Sequence, residues 1–207
     1  MKLIVDSEPV EIAIEPGGGF PEYCREVMSL LLSRNRAIGS LLLDGRPMQT
    51  IEQAEREFPT ARMCEIQSVP LVQAMRTSLD SQIQRIISIE ERCNTLVTES
   101  LLAEAHDIAV AWQDICAMIR EQIGLLPQLA GLLDLEEVDH LIGVRLMEFN
   151  TTMRDIGDIL NRADVVAFSD VLEFRLVPWL GSLRELLQGQ LARVNANLSE
   201  SPVVQAS

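Results

Sequence analysis

Residues 38–48 read IGSLLLDGRPM, a run of apolar side chains cut by Asp44-Gly45 and followed by Arg46 and Pro47. Two readings compete. The segment is either a recognition loop led by Arg46 or a tight turn that ends a strand over 38–43. Asp-Gly is a strong turn signal, because glycine takes a positive φ without a Cβ clash. The turn is the reading adopted, and it makes this stretch the hinge on which the fold of the first seventy residues depends.

Working outward, residues 2–5 and 10–14 are two strand-like runs separated by Asp6-Ser7-Glu8-Pro9. Val10, Ile12 and Ile14 alternate with polar neighbours, the pattern of a half-buried strand, and so short a connection predicts an antiparallel hairpin. Pro16-Gly17-Gly18-Gly19 lacks the Gly-Lys-Ser/Thr of a phosphate-binding loop. It reads as a lead into a helix over 21–34, with Pro21 in the first turn and Tyr23, Val27, Leu30 and Leu31 on one face. After the Asp44-Gly45 turn, Thr50-Ile51-Glu52-Gln53 opens a brief helix with a capping box, and residues 61–67 form the last strand.

The order is hairpin, helix, strand, turn, short helix, strand. With LLLDGRPMQTIEQA followed by ARMCEIQ, it resembles the ubiquitin-like β-grasp family over residues 1–68. The resemblance implies a small β-grasp domain. It does not carry over the reactive Gly-Gly terminus of modifiers and sulfur carriers, because this chain continues through Gln67-Ser68-Val69-Pro70.

From Pro70 the apolar period changes from 2 to about 3.6. Leu71, Val72, Met75, Leu79, Ile83, Ile86 and Cys93 trace a helix over 70–97. Leu102, Ala105, Ile108, Trp112, Ile115, Ile119 and Ile123 trace a second over 99–125, expected to stop at Gly124 and Pro127. Asp134-Leu135-Glu136-Glu137 caps a third, with Val138, Ile142, Arg145, Phe149, Met153, Ile156 and Leu160 on its stripe. A fourth begins near Asp164 or Ser169 and reaches about 198, kinked or broken at Pro178. Such helices bury their stripes against one another. The fold class expected is therefore α+β: a β-grasp-like domain over 1–68, an elongated antiparallel four-helix bundle over 69–198, and a disordered tail over 199–207.

Net charge is −14, with 11 acidic and 7 basic residues before residue 71 and 20 and 10 after it. This field repels nucleic-acid phosphate and anionic lipid. Nucleic-acid binding would require Arg25, Arg34, Arg36 and Arg46 to cluster on one face. No run approaches the roughly 18 apolar residues of a membrane span. An acidic residue arrives too early for a signal peptide, so a cytoplasmic location is expected. Cys24, Cys64, Cys93 and Cys116 form no CxxC pair, and they read as reduced thiols.

The chemistry-bearing patterns are few. Glu137-Val138-Asp139-His140 contains an E-x-x-H, but the position three before His106 is Ala103, so the second motif of a two-metal carboxylate site is missing. Glu90-Glu91 and Glu136-Glu137 are expected to face water, as are Asp155 and Asp158. Arg145 lies on an apolar stripe and either snorkels or pairs with a buried carboxylate. Trp112 and Trp179 either fill the core or anchor an interface. No catalytic residue, metal ligand or cofactor is assigned. The leading expectation is a non-catalytic protein-protein interaction module, an adaptor or assembly factor binding another protein or a second copy, with Arg46, Trp179, Leu183, Leu187 and Leu191 as candidate contacts. The alternatives are an acidic helical chaperone of a secretion or flagellar system, suggested by composition, and an enzyme whose pocket uses the histidines or Arg145.

Overall fold

The computed structural model describes residues 2–11, 19–100, 102, 105–133 and 136–200, of which 105, 126–133, 136–142 and 197–200 are described by backbone alone. The chain divides into two compact units, Met1–Thr77 and Ser78–Ser207. Among the described residues no helix is long and apolar enough to cross a membrane.

The first unit is a five-stranded sheet in the order β2-β1-β5-β3-β4 with a helix on one face. Strand β1 (Lys2–Val5) pairs antiparallel with β2 (Glu8–Val10) and parallel with β5 (Met63–Pro70). On the other side of β5, β3 (Arg36–Leu43) runs antiparallel and pairs in turn with the two-residue β4 (Arg46–Pro47). Helix α1 (Phe20–Ser33) buries Phe20, Tyr23, Val27 and Leu31. The latter three pack with Leu3, Val5, Leu43, Cys64 and Ile66. These strand residues alternate in sequence, so they share the helix-facing side of the pleat.

Several boundaries differ from the sequence expectation. The hairpin turn is Asp6-Ser7 alone, with φ of 51° and 71°, the conformation of a two-residue turn that matches strand twist. Glu8 and Pro9 therefore belong to the strand. Proline is tolerated there because β2 is a sheet edge and needs no donor on its outer side. Ile12 and Ile14 lie outside the described residues, as do Pro16, Gly17 and Gly18. Asp44 and Gly45, with φ of 48° and 78°, form the second such turn. The strand that follows it, β4, is too short for periodicity to reveal. Gly39 marks a register shift between β3 and β5, and a Cβ there would meet the Val69 Cγ1 at 2.7 Å.

Both turn aspartates reach the central strand. The Asp44 Oδ1 accepts the N–H groups of Arg62 at 3.0 Å and Met63 at 2.8 Å, and the Asp44 N–H donates to the Met63 carbonyl at 2.9 Å. At the other end, the Asp6 carboxylate accepts the Ser68 N–H at 2.8 Å and the Ser68 hydroxyl at 2.5 Å, while the Asp6 N–H donates to the Ile66 carbonyl at 2.9 Å. Arg36 completes this end by donating from Nε to the Ser68 Oγ and from Nη2 to the Ser68 carbonyl at 2.9 Å. The Ser68 hydroxyl and N–H, and beyond them Arg36 and Arg34, hold the Asp6 carboxyl below the ordinary aspartate value.

Helix α2 (Ile51–Glu57) is capped by Thr50, whose hydroxyl accepts the Gln53 N–H at 3.1 Å. The Gln53 side chain takes the Gln49 N–H, so the expected box closes one residue early. A 3-10 turn, Phe58–Thr60, brings Phe58 against Phe20 and Tyr23 at centroid distances of 5.3 and 4.9 Å.

The division between units falls inside α3 (Leu71–Ser100). The second unit adds α4 (Ala105–Leu133), α5 (Glu136–Asn161), α6 (Val165–Val171) and α7 (Val177–Glu200). Because α3 continues to Ser100, the second helix starts later than expected, and Leu102 is 94% exposed rather than on a buried stripe. Gly124 and Pro127 do not end α4. Proline in an established helix removes one hydrogen bond, and the leucine-rich run beyond continues the helical sequence. The capping residues Asp134 and Leu135 lie outside the described residues, as do 201–207, the bulk of the expected tail. Asp164 caps α6, its carboxylate accepting the Ala167 N–H at 3.1 Å.

Between α6 and α7, residues Leu172–Leu176 form a π-helical turn in which the Val177 N–H donates five residues back, to the Leu172 carbonyl. Phe168, Leu172, Leu176 and Leu180 are all buried. In an α-helix each four-residue step drifts about 40° around the axis, so the fourth member would leave the core face. The wider π-turn absorbs that drift just before Pro178. The kink expected at Pro178 is thus a re-phasing of the helix one turn earlier.

Two predictions follow from the pinned strand. Asp44→Ala removes the acceptor of two exposed amides, which water can then serve, and should cost about 0.5–1.5 kcal/mol, with faster hydrogen exchange at Arg62 and Met63 as the local signature. Asp6 contributes stability that is complete above the ordinary aspartate range, about pH 4, and is lost as pH falls through its lowered folded-state value. Unfolding midpoints of wild type and Asp6→Asn should therefore differ at neutral pH and converge in acid; a pH-independent gap would contradict this role.

Candidate functional groove

The α5 side of the second unit and the segment around the π-turn enclose an open groove of about 460 Å³ lined by Arg145, Glu148, Thr151, Thr152, Arg175, Pro178, Trp179 and Ser182. On α5, positions 145, 148, 151 and 152 follow helical spacing and share one face. The opposite wall comes from the π-turn and the start of α7. Trp179, 6% exposed, closes the floor. Its indole N–H donates to the Arg145 carbonyl at 2.9 Å, and its ring lies 4.9 Å from that of Phe149, centroid to centroid.

Arg145 is half-exposed. It neither snorkels alone nor meets a buried carboxylate: its ion pair is with Glu148, one turn on, at 3.5 Å. Arg175 reaches across to α5, pairing with Asp155 and donating to the Thr152 Oγ1 at 3.3 Å. Asp155 is therefore a partly exposed cross-helix partner. The three hydroxyl protons are already placed: Thr151 donates to the Met147 carbonyl, Thr152 to that of Glu148 and Ser182 to that of Pro178, at 3.0–3.1 Å. The surroundings include exposed apolar side chains, Met147 at 65% and Phe174 at 68%.

The other sequence candidates are dispersed. Arg46 is exposed on β4. Leu183 and Leu187 are 3% and 2% exposed and face the core of the second unit, with Leu191 half-buried. Trp112 stacks edge-on against Phe168 at 5.7 Å. Arg36 is engaged by Asp6 and Ser68. His106 is exposed on α4, while the E-x-x-H side chains of Glu137 and His140 lie outside the described residues. Burial raises every thiol, Cys24 to about 11 and Cys93 to about 12, with Cys64 and Cys116 moved the same way. At neutral pH these sulfurs are thiols, poor nucleophiles.

Glu90 departs from the expectation of a water-facing pair. Its side chain is only 12% exposed and lies 3.4 Å from the Arg184 Nε. Gly181 faces it, and a Cβ there would stand at an ordinary contact distance, 3.5 Å, from the Glu90 Oε1. Burial raises the Glu90 carboxyl and Arg184 opposes the rise.

Sequence spacing could have gathered the α5 wall, because Arg145, Glu148, Thr151 and Thr152 form one helical stripe. Arg175 could not be found that way, since its partners Asp155 and Thr152 lie 20 and 23 residues away. No protein-family model, no curated protein and no solved structure matches this chain.

Trp179→Phe keeps an aromatic floor but removes the donor to the Arg145 carbonyl. The expected loss is about 0.5–1.5 kcal/mol in denaturant unfolding, smaller than that of Trp179→Ala, which also removes the packing against Phe149.

Proposed function

We propose that this chain is a non-catalytic protein-protein interaction module, an adaptor or assembly factor acting in the cytoplasm, and that the groove between α5 and the start of α7 is its binding surface. The observation that carries this reading is the composition of the groove. It combines an indole floor with two guanidinium groups and an exposed aromatic neighbour, the residue types enriched at binding hot spots. Its hydroxyl protons are held by helix carbonyls, so no hydroxyl stands next to a free base as a nucleophile requires.

The fold reading behind the proposal is a β-grasp domain followed by an antiparallel four-helix bundle. The strand order β2-β1-β5-β3-β4, with its parallel β1–β5 pair, supports the first part. Cross-helix contacts support the second: Arg85 with Glu121 links α3 to α4, Glu90 with Arg184 links α3 to α7, and Trp179 with Arg145 links α7 to α5. Helices α6 and α7, joined by the π-turn, serve as the fourth member.

A photo-crosslinking amino acid at position 147, beside the groove, and another at exposed Glu91 on α3 test the reading in native lysate. Discrete crosslinked species at 147 and none at 91 are expected. Equal labelling at both positions, or none at either, counts against the groove as a binding surface.

A further inference from the structure

We infer that the groove takes a second copy of this chain, with Phe174 of each copy seated in the groove of the other about a two-fold axis. The inference rests on the interaction reading and names its occupant. Phe174 is 68% exposed although Leu172 and Leu176, two residues to either side, are 0% exposed. The π-turn therefore buries two leucines while leaving the intervening ring in solvent. Phe174 immediately precedes Arg175 and lies one helical turn before Pro178, and both of these line the groove. A protruding aromatic ring and a recess with an aromatic floor thus stand side by side on one segment. A two-fold contact requires a patch complementary to itself, so that residue i meets j while j meets i. Ring and recess meet that requirement, and both contacts form together.

Charge points the same way. A chain of net charge −14 resists self-association unless the meeting surfaces avoid adding like charge. Within the groove Arg145 and Arg175 are balanced by Glu148 and Asp155, which leaves the exposed Glu173 beside Phe174 as the acidic group the contact has to accommodate.

The test is sedimentation velocity on the full chain across a concentration series, with far-UV circular dichroism confirming unchanged helicity in each variant. Wild type should be a reversible dimer. Phe174→Asp should raise the dissociation constant at least tenfold, a substitution an exposed position tolerates. Thr151→Trp, which fills the groove wall, should do the same. An equimolar mixture of the two variants should dimerise more tightly than either alone, because the intact ring of one copy meets the intact groove of the other. A monomeric wild type up to about 100 μM, a dimer indifferent to Phe174→Asp, or a mixture no tighter than its components would overturn the inference. A foreign species crosslinked at position 147 with monomeric wild type would leave the interaction reading standing and remove this one.

Discussion

The sheet of the first unit depends on how β5 is held. This strand is central, parallel to β1 on one side and antiparallel to β3 on the other. Two hairpin turns flank it, β1–β2 and β3–β4, and each begins with an aspartate in the left-handed region. Each aspartate directs its carboxylate to main-chain donors at one end of β5: Asp44 at Arg62 and Met63, Asp6 at Ser68. The same two residues therefore set turn geometry and strand register together. A one-residue slip of β5 would strand both carboxylates and turn Cys64 and Ile66 away from α1. Charge-assisted bonds of this kind are roughly twice as strong as neutral ones, which suits a domain whose core is small.

This constraint explains why part of the fold was legible and part was not. Asp44-Gly45 announces a turn by local chemistry alone, and Thr50 announces a helix start. Asp6-Ser7 is less explicit, because neither residue is glycine and the positive φ at Asp6 is supported by contacts to Ser68, more than sixty residues away. Sequence reading consequently spread that turn over Glu8 and Pro9. In the second unit the 3.6-residue period located every long helix, yet it misplaced ends that depend on tertiary support, as at Gly124 and Pro127. It also made Glu90 a surface residue, because the Arg184 that its carboxylate meets lies on another helix.

The groove was legible by half. Arg145 stands out in the sequence as a charge on an apolar stripe, and Trp179 as an aromatic residue that either fills the core or anchors an interface. What joins them is the phase of the helix that carries Trp179. The spacing of Phe168, Leu172, Leu176 and Leu180 is one of four-residue steps, a pattern that a regular α-helix cannot keep on one face. Read for its own period, this run contains the signal for a wider turn; read as one more α-helical stripe, it does not.

The π-turn is also where stability and surface chemistry meet. Inserting a wider turn leaves backbone geometry less favourable than an α-helix, and such turns recur at functional sites. Here the insertion lets Leu172 and Leu176 both remain buried, directs Arg175 toward Asp155 on α5, and leaves Phe174 in solvent. A single local change of helical pitch thus creates the cross-helix ion pair, one wall of the groove and the exposed ring together. Had the helix continued in α geometry, the four-residue spacing would have carried part of this face out of the core. The groove is therefore a consequence of how the last helix keeps its apolar face buried.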